Sequence, residues 1–147
     1  MLVNFMVGLG AMLVCLVVQA LLVAIAVQFY ARYQGRARSA SFFSTLLLIS
    51  GVMVVMVMGN FLQIFIWALL FLGLGEFDDI VVAVYHSAVN FATLGYGDIV
   101  MSPAHRILGP MQAINGVLMI GVTTAVMMSA SQDALRRTRN ARQQAGE

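Results

Sequence analysis

The hydrophobic residues of this chain form three long, continuous runs and do not alternate with polar residues along most of its length. Apolar side chains dominate from about residue 3 to 30, from 42 to 74 and from 105 to 131. Each run exceeds the roughly 20 residues that a helix needs to cross about 30 Å of hydrocarbon. The pattern therefore predicts three transmembrane helices.

A shorter apolar segment lies between the second and third runs. Residues 78–92 read DDIVVAVYHSAVNFA, and Asp78 and Asp79 suit a helix N-terminus, where carboxylates meet the positive end of the helix dipole. A helix that ends near Ala92 would be about 20 Å long, which reaches only partway into a bilayer. We therefore expect a re-entrant helix whose C-terminal end points towards the membrane centre and favours a cation.

The sequence TLGYGD follows this segment at residues 93–98. Non-helical backbone at membrane depth is tolerated only where protein covers it or where it lines a water-filled path. Glycine permits a positive φ, so successive carbonyls can be turned towards one side and can bind a cation. Several copies of this segment around one axis could replace the hydration shell of an ion.

Composition and charge favour a membrane protein and predict its orientation. The chain is 61% hydrophobic and only 10% charged, whereas a soluble domain has about 25% charged residues. Arginines cluster in residues 31–41 and in the C-terminal tail, so both regions are expected to be cytoplasmic. The connection between the second and third runs is mainly acidic, with Arg106 as its single basic residue, and is expected to lie outside. The N-terminus should then be outside and the C-terminus in the cytoplasm.

The clustered arginines could also attract anionic lipid headgroups. They are Arg32, Arg36, Arg38, Arg136, Arg137, Arg139 and Arg142. The first apolar run contains no arginine, so a voltage sensor of the usual kind is not expected. Because most of the positive charge lies in these two clusters, it does not indicate a nucleic-acid partner.

With its flanking elements, TLGYGD resembles the selectivity filter of potassium channels, which commonly has valine where this chain has Leu94. The resemblance covers about residues 42 to 131, and some bacterial ion-channel proteins are similar, with one extra helix before the pore. It implies an all-α membrane protein with three transmembrane helices, a re-entrant pore helix and a filter loop between the second and third, assembled as a homotetramer. Passive potassium conduction across a bacterial inner (plasma) membrane is the implied function, with no cofactor besides the permeant ion.

The resemblance also implies a division of the chain into an extra N-terminal helix and loop at 1–41, a pore module at 42–132 and a short cytoplasmic tail at 133–147. Within the filter, dehydrated potassium would be bound by the carbonyls of Thr93, Leu94, Gly95 and Tyr96 and by the Thr93 hydroxyl. Gly97 would let the strand exit, and Asp98 would lie at the outer mouth.

Filter support is expected from Tyr85, His86 and Val89, although these residues depart from the family pattern. Many members have two aromatic residues where this chain has Tyr85 and His86, and some bacterial members have a glutamate where it has Val89. Tyr85 could supply a hydroxyl behind the filter. Without the glutamate, Asp98 must find another partner or water.

The third apolar run is expected to line the pore. A cavity-facing stripe of Val117, Ile120 and Thr124 follows from helical spacing if Gly116 is aligned with the hinge glycine of the family. Close helix packing is an equally weighted role for Gly116. Four polar residues inside the predicted spans are expected to bond across helices, with an Asn60–Asn115 contact as the specific hypothesis. They are Asn60, Gln63, Gln112 and Asn115.

His105 lies near the outer membrane edge, where an interfacial structural role is favoured over pH sensing. Two other functions remain open for the whole chain: a weakly selective cation channel, and a non-conducting membrane scaffold or regulatory subunit with a filter-like loop. An enzyme is not expected, because the sequence has no nucleophile–base pair, metal triad or phosphate loop.

Overall fold

The computed structural model describes residues 1–36 and 42–145, and all regular secondary structure in this part of the chain is helical. The four helices are α1 (Leu2–Arg36), α2 (Phe42–Gly73), α3 (Ile80–Phe91) and α4 (Leu108–Ala145). Helices α1, α2 and α4 contain segments that are long and apolar enough to cross a membrane, namely Leu2–Arg32, Thr45–Gly73 and Leu108–Arg136. The predicted fold class, three long apolar helices with a short helix between the second and third, is confirmed.

Helix α3 begins where the acidic pair predicted a helix N-terminus. The Asp79 side chain accepts a hydrogen bond from the backbone N–H of Val81 at 2.8 Å. This cap satisfies one of the N–H groups that a helix leaves unpaired at its start. The helix has 12 residues and is therefore about 18 Å long, too short to cross a bilayer.

Helix α4 begins and ends later than its apolar run. Residues 103–107 form turns, and Pro110 is the third helical residue, where a missing N–H breaks no intrahelical hydrogen bond. The helix continues through the arginine-rich tail to Ala145, because arginine, alanine and glutamine are good helix formers. The apolar pattern thus marks the part of a helix that suits hydrocarbon, while the helix itself extends further.

Helix α1 packs against α2 and α4 of its own chain. One buried cluster joins Cys15 of α1 to Trp67 and Phe71 of α2 and to Leu108 and Met111 of α4. A second cluster, nearer the other end of the bundle, joins Ala26, Val52, Met56 and Ala130. Small residues allow the helices to approach closely: Leu22 occupies the space that a Cβ at Gly59 would need.

Several of the predicted cytoplasmic arginines cannot be placed by the structure. Arg38 and the rest of residues 37–41 lie outside the described residues, as do the side chains of Arg36, Arg137 and Arg142. Their proposed roles in orientation and in lipid contact therefore stay predictions.

Candidate ion-conduction site

The chain turns directly from the C-terminal end of α3 into the TLGYGD segment. The N–H groups of Thr93 and Leu94 donate to the carbonyls of Asn90 and Val89, both at 2.9 Å. These bonds use carbonyls that the last turn of α3 would otherwise leave unpaired. The segment is thereby anchored to the negative end of the helix dipole.

The backbone angle φ alternates in sign along residues 93–97. Thr93, Gly95 and Gly97 have φ values of 58°, 57° and 76°, whereas φ is negative at Leu94 and Tyr96 between them. In an ordinary strand successive peptide groups point to opposite sides, and reversing every second residue turns their carbonyls towards one side. Gly95 and Gly97 reach this conformation easily, while Thr93 carries a conformation that is rare for a β-branched residue. This is the backbone pattern expected of a path lined by carbonyls.

The same segment is uncovered in the single chain. The Leu94 and Tyr96 side chains are 55% and 66% exposed. Among the described residues, no backbone group between Gly95 and Val100 pairs with another backbone group. The described part of one chain therefore leaves this segment uncovered, and backbone groups of this kind would need protein or water around them at membrane depth, because lipid cannot hydrogen-bond them.

Asp98 is held by Tyr85, the residue from which the sequence suggested a hydroxyl. The Tyr85 hydroxyl donates to Asp98 Oδ2 at 2.6 Å. This hydrogen bond is the main reason that the pKa of Asp98 lies below its ordinary value. Val89, in the position where a glutamate was considered, is buried and offers only its carbonyl, which accepts from Leu94.

His86 connects α3 to the backbone that follows the filter-like segment. Its Nδ1 lies 3.1 Å from the Ile99 carbonyl oxygen, and its Nε2 lies 2.9 Å from Asn90 Nδ2. A carbonyl can only accept and an amide nitrogen can only donate, so this arrangement assigns a neutral ring with hydrogen on Nδ1. Asn90 was missed by the sequence reasoning, although its position four residues after His86 on a helix is a usable signal.

Glu76 links the turn before α3 to the loop before α4. Its carboxylate accepts from the Ser102 N–H at 2.8 Å and from the Ser102 hydroxyl, and it lies 2.5 Å from His105 Nδ1. Burial opposes ionisation here, but the hydrogen bonds from Ser102 and His105 hold the pKa of Glu76 below its ordinary value. His105 is thus tied to Glu76, and its interfacial role stays a prediction.

Gly116 lies where α4 crosses the end of α3. The Phe91 carbonyl oxygen occupies the position that a Cβ at Gly116 would need, and α4 continues through this residue without a break. The structure therefore supports the close-packing role, and the hinge stays a prediction. Val117, Ile120 and Thr124 all lie on an exposed face of α4, where the Thr124 hydroxyl donates to the Ile120 carbonyl at 2.9 Å. Whether this face lines a pore is also a prediction.

The expected Asn60–Asn115 contact is wrong. Asn60 Oδ1 accepts from the Thr123 hydroxyl at 3.3 Å, whereas Asn115 is fully buried beside Cys15. The two asparagines lie near the midpoints of their spans, but Asn115 is eight residues, or about 12 Å, along α4 from the level of Asn60. Position within a span does not fix the relative height of two helices, which depends on how they pack.

The more general expectation of polar bonds between helices is confirmed for Asn60 and for both glutamines, whereas the buried side-chain nitrogen and oxygen of Asn115 have no hydrogen-bond partner among the described residues. Gln112 donates to the carbonyl of Ser87 at 3.1 Å and to its hydroxyl, and that hydroxyl donates to the Ile64 carbonyl at 2.7 Å. These bonds join α2, α3 and α4. Gln63 donates to Gln19 Oε1 at 2.7 Å and thereby joins α2 to α1. Gln19 was missed by the sequence reasoning, although a glutamine inside an apolar run is itself a signal.

The described residues thus form three helices that are long and apolar enough to cross a membrane, with a half-length helix and an uncovered loop between the last two. A family model described as ion channel matches residues 42–133, which is more than half of the chain. The chain belongs to this ion-channel family. Comparisons with characterised proteins and with solved structures found no match. The family match covers α2, α3 and most of α4, whereas α1 lies before it.

Proposed function

We propose that this protein is a subunit of a homotetrameric, potassium-selective channel. Potassium passes down its electrochemical gradient through a ring of backbone carbonyls contributed by Thr93, Leu94, Gly95 and Tyr96. The observation that carries the proposal is the alternating sign of φ from Thr93 to Gly97, directly after the end of α3. No other part of the described chain combines this backbone with the end of a half-length helix.

The chemistry of the segment suits a dehydrated monovalent cation. Neutral carbonyl oxygens can replace water around potassium without the strong charge that would trap it, and conduction requires binding weak enough for the ion to leave. The C-terminal end of α3 adds a partial negative charge nearby. The similarity of TLGYGD to the potassium-channel filter supports potassium over other cations.

Assembly into a ring is supported by the incompleteness of the single chain. One strand cannot surround an ion, and the backbone from Gly95 to Val100 lacks backbone partners in the described chain. Copies related by a fourfold axis would cover the exposed Leu94 and Tyr96 side chains and place four filter strands around the ion path. The number four comes from the resemblance to potassium channels.

The direction of insertion follows from charge. The arginine clusters favour a cytoplasmic C-terminus and an outer position for Asp98 and Glu76 in a bacterial inner membrane. Asp98, kept ionised by Tyr85, would then attract cations to the outer entrance.

The proposal is tested by potassium flux from liposomes that contain the purified protein. The native chain should release potassium and should show a reversal potential near that of potassium in mixed potassium and sodium. Gly95→Ala should lose most of this flux, because alanine at a φ of 57° is strained and its methyl group changes the filter backbone. Gly10→Ala is the matched control, since Gly10 lies in α1 without a positive φ and a Cβ there would meet no atom within 4 Å.

Each alternative has its own result in this assay. Nearly equal potassium and sodium permeability would identify a weakly selective cation channel. A native protein that passes no ion would favour a scaffold or regulatory subunit. Selective flux that is unchanged in Gly95→Ala would remove the TLGYGD segment from the conduction path.

A further inference from the structure

We propose that α1 is a fixed support for the pore-lining helix α4 of its own chain, and that Gln19 positions α4 through Thr123. This inference rests on the proposed function, because it assigns α1 a part in setting how often the pore is open. It concerns a helix that lies outside the matched family region of residues 42–133.

Gln19 joins three helices through one amide group. It is 2% exposed, its Oε1 accepts from Gln63 of α2 at 2.7 Å, and its Nε2 donates to the Thr123 hydroxyl of α4 at 3.3 Å. The Thr123 hydroxyl in turn donates to Asn60 of α2 at 3.3 Å. The donor and acceptor ends of the amide therefore have different partners, so the bonds specify one arrangement of α1, α2 and α4.

Two further contacts fix α1 along the length of α4. At the outer end, Asn4 Nδ2 donates to the carbonyl of Ala104, just before α4 begins. Near the other end, the Tyr30 hydroxyl donates to Asp133 Oδ2 at 2.8 Å. With Gln19 between them, α1 contacts the outer loop, the middle and the inner part of the α4 segment. A tilt or rotation of α4 against α1 must break at least one of these bonds.

Thr123 connects this support to the proposed pore face. Its side chain is buried in the bundle, whereas Thr124, the next residue, and Ile120 lie on the exposed face. Neighbouring residues on a helix are separated by about 100° around its axis. A rotation that moves Ile120 and Thr124 relative to the pore axis therefore also moves the Thr123 hydroxyl away from Gln19. The Gln19–Thr123 bond thus favours the position of α4 in which it is formed.

Single-channel recording in planar bilayers tests this inference with three variants: Gln19→Leu, Thr123→Val and the double variant. Each single variant should change the ratio of open to closed time about fivefold, which corresponds to about 1 kcal/mol and to the size of a hydrogen bond between membrane helices. Both changes remove the Gln19–Thr123 bond, while each also removes one bond of its own, to Gln63 or to Asn60. The effect of the double variant should therefore be smaller than the product of the two single effects. The reversal potential should remain that of the native channel.

Gln28→Leu is the matched control, because Gln28 is an exposed glutamine on the same helix. It should leave the ratio unchanged. Thr123→Ser keeps the hydroxyl and should retain the native ratio of open to closed time. If the effect of Thr123→Val came only from the changed side-chain shape, Thr123→Ser would not restore the native ratio. If Gln19→Leu does not assemble, the comparison of Thr123→Val with Thr123→Ser decides the question alone.

The outcomes separate this inference from the function on which it rests. A native chain that passes no potassium would overturn the proposed function and this inference together. A conducting native chain with native ratios in Gln19→Leu and Thr123→Val, or with additive effects in the double variant, would overturn only the role of Gln19.

Discussion

Replacing Gly116 with alanine should destabilise the protein, although alanine is the better helix former. In the middle of a helix, the intrinsic preference of alanine over glycine amounts to about 1 kcal/mol in favour of the variant. The new Cβ, however, would meet the carbonyl oxygen, carbon and Cα of Phe91. All three are backbone atoms at the end of α3, so no side-chain rotation can make room.

The expected size of the effect follows from these opposing contributions. Overpacking in a closely packed interior costs about 1–3 kcal/mol. After the propensity gain is subtracted, the free energy of unfolding should fall by up to about 2 kcal/mol. Because Thr93 follows Phe91 by two residues, the displacement should also reach the first residue of the proposed filter and reduce potassium flux.

Gly121→Ala supplies the control within the same helix. A Cβ at Gly121 would meet no atom within 4 Å, so this variant should be as stable as the native protein or more stable by up to about 1 kcal/mol. Unfolding of both variants in detergent, followed by circular dichroism, measures the difference. Equal stability of the two variants would refute the close approach of α4 to Phe91. Native stability of Gly116→Ala together with altered open times would instead favour the hinge.

Two further changes test the polar contacts that hold the site. Ser87→Ala should lower the free energy of unfolding by about 1–3 kcal/mol, because it leaves the buried Gln112 amide without its hydroxyl partner. Ser50→Ala, on an exposed part of α2, is the control and should have little effect. Similar values for the two variants would contradict the role of Ser87. The pKa of Glu76 is lower in the folded protein than its ordinary value of about 4.3, so the folded state binds fewer protons than the unfolded state. The ionised carboxylate therefore stabilises the fold above that ordinary value, and this stabilisation is lost as pH falls through the folded pKa. In Glu76→Gln, the free energy of unfolding should therefore change less between neutral and acidic pH than it does in the native protein. An unchanged pH dependence would show that the contacts of Glu76 with Ser102 and His105 do not stabilise the fold.

The sequence predicted the elements of this protein more reliably than the pairs of residues that meet. The resemblance to potassium channels suggested that Tyr85 supplies a hydroxyl behind the proposed filter, and in the structure this hydroxyl donates to Asp98, thirteen residues further along the chain. Contacts of this kind depend on one short segment folding back on itself, so local sequence contains most of the information. The Asn60–Asn115 hypothesis failed because those residues lie on separate long helices whose relative height is not local.

By itself, the sequence determined the three long helices, the half-length helix with its acidic cap and the position of the glycine-containing segment. Continuous apolar length, helix-capping chemistry and the need for positive φ are properties of a few neighbouring residues, and they can be read without a partner helix. Only the tertiary structure decided the other contacts. It placed Gly116 against Phe91, joined Gln19 to Gln63 and Thr123, and brought Glu76 to Ser102 and His105. These contacts depend on the rotation and height of packed helices. Almost uniformly apolar surfaces allow many such arrangements, and contacts of the few polar and small residues select one of them.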